Sequence, residues 1–177
     1  MSTFPILKKE DVSEANKEIF NNLEKGLGFV PNIYAAMAHS DNALKDYLQF
    51  SNAKTSLTAI EKEVVDLAIS QVNGCRYCQS AHTAISKMKG LNDDQILELR
   101  HGKASWDKKL NALSKVSKEI AINRGKLSNT SLNAFYDAGY TKENLVDLVI
   151  AVGIITVTNT FHNLTDVEID FPLVESI

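Results

Sequence analysis

The feature that most constrains the fold is a helical period that runs through nearly the whole chain. Apolar residues recur at three- and four-residue spacings in segment after segment, and several segments end at a glycine. Thr58 and Glu61 have the spacing of a capping box, in which a hydroxyl and a carboxylate satisfy the free amides of a first helical turn. Only eight glycines and three prolines are present, too few for a turn-rich β-sandwich. The sequence therefore predicts an all-α fold of eight or nine helices.

The pattern predicts helices over residues 13–28, 33–40, 41–54, 58–73, 75–89, 92–102, 107–125, 128–139 and 141–163, with an irregular tail over 164–177. A chain of 177 residues that is 44% hydrophobic and 23% charged is typical of a single globular domain, here 1–177. The net charge of −3 offers no bulk attraction to nucleic acid or to an anionic membrane. We therefore expect neither as a partner.

The N-terminal segment and the most apolar run of the chain indicate the cellular compartment to expect. The N-terminal segment has no apolar stretch of the kind found in secretory signals. The run from Leu145 to Val157 is 13 residues long and includes Asp147, so it is too short for a bilayer and suits a buried helix. We expect a cytoplasmic protein. In a reducing compartment, two nearby cysteines are more often catalytic or metal-binding than a structural disulfide.

Two pentapeptides, "VDLAI" at 65–69 and "VDLVI" at 146–150, share four of five residues at an offset of 81. At that offset the residues Cys75, Cys78, His82 and Glu63 fall on Thr156, Asn159, Asn163 and Asn144. Either two core helices use similar aliphatic stripes, or the chain contains a helical duplication. In the second case a redox-active repeat spans about 41–101 and a degenerate repeat about 107–163.

The only two cysteines stand in the stretch "NGCRYCQSAH", with Asn73-Gly74 breaking the preceding helix. Cys75 should then open the next helix, where unpaired amides and the helix dipole favour a thiolate. Cys75, Cys78 and His82 lie at i, i+3 and i+7 and share one helix face. His82 is four residues past Cys78, at the spacing where an imidazole can accept or return a thiol proton. This pattern favours a redox centre.

Glu63 is the carboxylate expected to meet His82. If the two helices pack antiparallel about Gly74, the positions of Glu63 and His82 differ by about 4.5 Å along the axis, at about 1.5 Å per residue. A chain from Glu63 through His82 to Cys78 is therefore credible, each group orienting the next. Glu61 is the rival carboxylate, but its capping-box spacing already explains it.

The residues alone leave other interpretations open. Two thiolates, His82 and Glu63 could supply four zinc ligands, although structural zinc sites normally draw a second ligand pair from a distant segment. A non-enzymatic helical redox sensor or zinc-binding interaction protein is thus the alternative to an enzyme.

The order Glu63, Cys75-x-x-Cys78, His82 resembles that of the AhpD-like alkylhydroperoxidases, a group within the carboxymuconolactone decarboxylase superfamily. The stretches "GLGFVPNIYAAMAHS", "LTAIEKEVVDLAIS" and "DAGYTKENLVDLVIAV" resemble its peroxidase-related branch. The resemblance implies a single-domain all-helical fold built from duplicated helical units.

The resemblance also implies roles. Cys78 would be the peroxidatic nucleophile and Cys75 the resolving cysteine, with His82 as proton-relay base and Glu63 as its partner. Substrates would be alkyl hydroperoxides or hydrogen peroxide, the reductant a dithiol or lipoyl-bearing protein, and the assembly a homo-oligomer, either a trimer or a hexamer. No metal, haem or flavin cofactor is expected. Tyr77 occupies the position of a family histidine, so it either donates a hydrogen bond to the thiolate or only packs.

Overall fold

The computed structural model describes residues 4–177. Within that range the chain forms one 3₁₀ turn, Lys9–Asp11, and nine α-helices. The helices are α1 (Glu14–Leu27), α2 (Asn32–Met37), α3 (Ala43–Ser51), α4 (Ala59–Val72), α5 (Arg76–Met88), α6 (Asp93–Arg100), α7 (Lys108–Ile122), α8 (Asn129–Asp137) and α9 (Lys142–Thr165). The predicted all-α class is confirmed, and the tail after α9 is irregular as expected.

The helix starts follow from side chains that satisfy free amides. Ser13 accepts a hydrogen bond from the amide of Asn16 at the start of α1. Thr58 and Glu61 form the predicted capping box at the start of α4. Each such cap typically stabilises a helix by about 1 kcal/mol. Local sequence therefore fixes these boundaries, independently of tertiary packing.

Helix α4 is the centre of the fold and packs against α5, α6, α7 and α9. Its apolar side chains are almost fully buried, among them Val64, Val65, Leu67, Ala68 and Ile69. Burying a Val, Leu or Ile side chain contributes roughly 1.5–3 kcal/mol. A helix held on so many sides is a rigid platform for the polar residues on its remaining face.

The turn between α4 and α5 reverses the chain. Gly74 has φ +67°, a left-handed conformation that glycine adopts without strain. The amide of Cys75 then donates to the carbonyl of Ser70 at 3.1 Å. Helix α5 consequently folds back against α4, as predicted from Asn73-Gly74.

The second pentapeptide of the sequence echo lies on α9, which packs directly against α4. The counterpart of Gly74 at the offset of 81 is Ile155, inside the unbroken helix α9. The second copy therefore lacks the turn that presents the two thiols in the first. The division into two repeats stays a prediction.

Helix α9 is 24 residues long and is the described helix whose length and apolar composition would suffice to cross a membrane. It exceeds the 13-residue run considered from sequence, because polar residues at both ends continue the helix. In the structure its inner face, with Leu148, Ile155 and Asn159, is buried in the fold. Its outer face is exposed and partly apolar. One such helix is also what the core of a globular protein contains.

Candidate active site

The two cysteines lie at the start of α5, where Asn73-Gly74 places them. Cys75 is the N-cap residue, and the amide of Cys78 donates to its Sγ at 3.2 Å. Both thiols are free, and Cys75 is 0% and Cys78 3% exposed. The amides of the helix start are therefore directed at Cys75 rather than at Cys78.

The two thiols have opposite pKa shifts. The hydrogen bond from the Cys78 thiol lowers the pKa of Cys75, and the backbone amides and the Asn159 side chain lower it further against the effect of burial. The same thiol–thiol hydrogen bond, together with burial, raises the pKa of Cys78 well above its usual value, although His82 opposes the shift. Cys75 is therefore the more acidic of the two thiols. The nucleophile that the resemblance implies, Cys78, is the less acidic one.

The contact predicted between Glu63 and His82 is present. Nδ1 of His82 donates to Oε2 of Glu63 at 2.8 Å, across the pair α4 and α5. The other Glu63 oxygen, Oε1, lies 2.6 Å from Nζ of Lys89, just beyond the end of α5. Burial raises the pKa of Glu63, but His82 and Lys89 outweigh it and hold that pKa below its usual value. Glu63 is therefore a buried carboxylate shared between two cations.

A second carboxylate also faces His82. Oδ2 of Asp66, one turn after Glu63 on α4, lies 3.4 Å from the same Nδ1. Burial raises the pKa of Asp66 to about 6, and the neighbouring Glu63 charge adds to this shift. Asp66 and Glu63 together overcome the effect of burial on His82 and raise its pKa to about 9. His82 is thus an imidazolium at neutral pH, which makes it a proton donor in its resting state rather than the base expected from the sequence.

Tyr77 lies away from the thiols. Its hydroxyl donates to Oδ1 of Asp170 at 2.7 Å and accepts from the amide of Ile33 at 3.3 Å. Its ring packs edge-on against Phe171. Burial and the Asp170 carboxylate raise the pKa of Tyr77. Of the two alternatives considered from sequence, the structure has Tyr77 packed against the tail and not donating to a thiolate.

The C-terminal tail contacts the first turn of α5. Asp170 also accepts from the amide of Asn32 at 2.7 Å, which ties the tail to the start of α2. Arg76 donates to the carbonyl of Val174 at 3.2 Å. The first turn of α5 is therefore held between the tail and α4.

Three hydroxyl groups interact electrostatically with Cys78, those of Thr158, Tyr34 and Tyr47. The hydroxyl of Thr158, on α9, hydrogen-bonds the Cys78 thiol and lowers its pKa. Burial raises the pKa of Tyr34 to about 12, and charge on Cys78 and Asp66 contributes. Burial also raises the pKa of Tyr47, whose ring centroid lies 6.0 Å from that of Tyr34. These neutral hydroxyls can donate hydrogen bonds to oxygen atoms that reach Cys78.

The ligand atoms of Glu63, Asp66 and His82 come within 4.8 Å of one another, a grouping that could hold a metal ion. The group contains neither thiol, so the four-ligand zinc set weighed from sequence is not assembled in this geometry. Lys89 already supplies a positive charge at Glu63. An ion-pair network accounts for the grouping without a metal.

The site contains two residues that sequence reasoning missed, Asp66 and Lys89. Asp66 follows Glu63 by three positions, so the helical spacing that placed Glu63 also places Asp66 on the same face. Lys89 is seven positions beyond His82 and inside the helix predicted over 75–89, so the i, i+7 spacing also places it on the face of His82. His162 is buried against the Tyr77 ring with both ring nitrogens lacking a partner among the described residues.

Three comparisons extend these observations. The model of the carboxymuconolactone decarboxylase family matches residues 35–119, which include both cysteines, Glu63 and His82. A search of curated proteins finds no significant match.

Among solved structures, the chain is similar to a peroxidase-related protein with an AhpD core from Ralstonia eutropha JMP134. The two share 19% identity over 96% of this chain and 92% of that one, with a TM-score of 0.86. A peroxidase-related protein from Silicibacter sp. TM1040 shares 18% identity over 93% of this chain and 88% of that one, with a TM-score of 0.81. The debrominase Bmp8, as a cysteine-to-alanine variant in complex with 2,3,4-tribromopyrrole, shares 16% identity over 96% and 92%, with a TM-score of 0.79.

Fold and site together define an all-helical protein with a cysteine pair at a helix start and a histidine two turns further on. Residues 35–119 match the carboxymuconolactone decarboxylase family, and the fold over nearly the whole chain is similar to that of solved proteins with an AhpD core.

Proposed function

We propose that this protein is a thiol-dependent peroxidase that reduces alkyl hydroperoxides or hydrogen peroxide through Cys75 and Cys78. The observation that carries the proposal is the pair of free cysteines at the start of α5, where the Cys78 amide donates to Sγ of Cys75, beside an imidazolium held by Glu63. Such a pair exchanges electrons without a bound cofactor.

Cys78 is the proposed nucleophile because its sulfur interacts electrostatically with His82 and with the hydroxyl groups of Thr158, Tyr34 and Tyr47. Its thiol proton must leave before attack. The adjacent Cys75 thiolate is the acceptor at hydrogen-bond distance, and the transfer moves the thiolate from Cys75 to Cys78. The raised pKa of Cys78 makes this thiolate rare but strongly nucleophilic.

The Cys78 thiolate attacks the terminal oxygen of the hydroperoxide, and the O–O bond breaks. The sulfur is oxidised to a sulfenic acid, and the leaving alkoxide takes a proton from His82 to become the alcohol. The Cys75 thiol then condenses with the sulfenic acid, which forms the disulfide and releases water. An external dithiol reduces the disulfide, returns both thiols and is itself oxidised to a disulfide.

The proposed reductant is a dithiol, in particular a lipoyl-bearing protein, as the resemblance implies. A cytoplasmic location suits this chemistry because it keeps the resting thiols reduced. Glu63 acts through His82, which binds its Oε2 atom. Lys89 binds the other oxygen, Oε1.

We also propose that the protein is a homo-oligomer, a trimer or a hexamer, whose copies contact one another through the outer face of α9. Five large apolar side chains on that face are exposed: Val146, Val149, Ile150, Val157 and Leu164. This apolar stripe borders a groove of about 940 Å³ between α2 and α9. A second copy of α9 is matched to it in length and in apolar character.

The proposal is tested by steady-state turnover of an organic hydroperoxide with several dithiol donors, dihydrolipoamide among them. Turnover that needs both a hydroperoxide and a dithiol supports it. A protein that binds zinc stoichiometrically and consumes no peroxide would instead be the non-enzymatic zinc-binding alternative. A single oxidation without dithiol-driven turnover would indicate a redox sensor. A bromopyrrole is a useful added substrate because one structural neighbour is a debrominase.

A further inference from the structure

One imidazole nitrogen in this site faces two carboxylates. Nδ1 of His82 lies 2.8 Å from Oε2 of Glu63 and 3.4 Å from Oδ2 of Asp66. Glu63 and Asp66 are three positions apart on α4, so one rigid helix carries both. The side chains of Glu63 and Asp66 are only 4% and 13% exposed, so solvent screens these charges weakly.

One carboxylate cannot balance the two positive charges of His82 and Lys89. Both oxygens of Glu63 are occupied, one by His82 and the other by Lys89. Two cations, with side chains 20% exposed at His82 and 31% exposed at Lys89, therefore share one negative charge, and a second carboxylate restores the balance. Among residues 4–177, His82 is the only cation within ion-pair distance of Asp66.

We propose that Asp66 is a second positioning residue for His82, which with Glu63 clamps Nδ1 so that the imidazolium keeps Nε2 available to Cys78 and its substrate. The catalytic consequence rests on the proposed peroxidase function, whereas the clamp itself does not. Since Nδ1 is engaged by two carboxylates, the proton that His82 gives up must come from Nε2. Glu63 alone, already paired with Lys89, would stabilise the positive charge of His82 less.

The groups that face Asp66 come from every element around it. Its charged or titratable neighbours are Lys62 and Glu63 on α4, His82 on α5, Lys89 beyond α5, Tyr34 on α2 and Tyr47 on α3. The two tyrosines are neutral at the pH values at issue. The raised pKa of His82, about 9, agrees with the clamp, because the Asp66 charge contributes to it. Burial and the Glu63 charge raise the pKa of Asp66 to about 6 although His82 lowers it, so Asp66 is ionised where His82 titrates.

The clamp is tested by NMR titration of the His82 ring in the whole protein. The chain has four histidines, so the His82 signal is assigned by its loss in His82→Gln. Wild-type protein should titrate near pH 9. In Asp66→Asn the midpoint should fall by about one pH unit, a tenfold loss of proton affinity. Asp66→Glu should restore at least part of the shift, and Asp94→Asn, an exposed aspartate on α6, should change nothing.

A fall of less than about half a pH unit in Asp66→Asn would overturn the clamp. Should that variant fail to fold, the wild-type protein still decides the question. The ¹³C signal of the Asp66 carboxyl should show a second inflection at the pH where His82 titrates, and its absence would overturn the clamp. Neither measurement uses peroxide. An inactive protein with a shifted His82 midpoint would therefore retain the clamp and lose only the proposed function.

Discussion

Nδ1 of His82 lies 2.8 Å from Oε2 of Glu63, although the two residues are 19 positions apart in the chain. The contact joins the centre of the buried helix α4 to the helix that presents the thiols. The left-handed turn at Gly74 folds α5 back along α4, and the helical rise on either side of the turn then brings the two residues to similar heights. This ion pair gives the cysteine pair a proton donor.

The Glu63–His82 pair predicts a pH dependence. The pKa of His82 is raised to about 9 in the folded protein, so its positive charge is complete below about 6.5 and is lost as the pH rises through 9. Reaction with peroxide, measured by stopped flow, should therefore decline on the alkaline side near pH 9. Glu63→Gln should move this decline to lower pH by about one unit, a loss of roughly twofold at pH 8 that approaches tenfold at about pH 10.

Glu18→Gln, an exposed change on α1, is the matched control and should leave the profile unchanged. An unaltered alkaline limb in Glu63→Gln would remove the ion pair from the relay.

The two cysteines should differ in what their loss does. Cys78→Ser should abolish reaction with peroxide, whereas Cys75→Ser should leave a sulfenic acid that dimedone traps. Mass spectrometry of the modified peptide distinguishes the two outcomes. Cys75→Ser also removes the proposed proton acceptor, so the sulfenic acid should form more slowly on Cys78. A sulfenic acid trapped on Cys75 in Cys78→Ser, with none in Cys75→Ser, would exchange the roles of nucleophile and resolving cysteine.

Tyr77 should matter for stability more than for chemistry. Tyr77→Phe removes the hydroxyl that bonds Asp170 and Ile33, so the free energy of unfolding should fall by about 1–3 kcal/mol. The second-order rate with peroxide should stay within about a factor of two or three, since the hydroxyl faces away from the thiols. Urea unfolding and stopped-flow rates measure both, with Tyr136→Phe on α8 as control. A folded Tyr77→Phe protein with a rate more than about tenfold lower would assign the hydroxyl to the proton relay.

The apolar stripe on α9 should hold the subunits together. Val149 and Val157 are 59% and 44% exposed, so the double change to Asp disturbs no buried packing within one chain. Light scattering should then report a monomer in place of a trimer or hexamer. Met88→Asp, at an apolar residue 87% exposed outside the stripe, should leave the assembly intact. A monomeric wild-type protein, or an assembly that survives the double change, would contradict this interface.

The helices and the position of the cysteine pair could be predicted because local signals determine them. Ser13, the Thr58–Glu61 box and Gly74 each act within a few residues of their own position. The Glu63–His82 contact is non-local, but it follows from counting helical residues on either side of one turn. Asp66 has the same spacing and could have been found by the same count.

Other features depend on tertiary packing that no local spacing encodes. The lowered pKa of Cys75 depends on the positions of the Cys78 backbone amide and of the Asn159 side chain from α9. The protonation of His82 depends on two buried carboxylates outweighing the cost of burial. Tyr77 is turned from the thiols by Asp170, which comes from an irregular tail 93 positions away.

The most direct test of the central claim is thiol counting combined with peptide mass spectrometry after one equivalent of an organic hydroperoxide. We predict the loss of two thiols per chain, a disulfide between Cys75 and Cys78, and full recovery of both thiols with dihydrolipoamide. Two thiols that remain titratable after the hydroperoxide has been added would contradict the account.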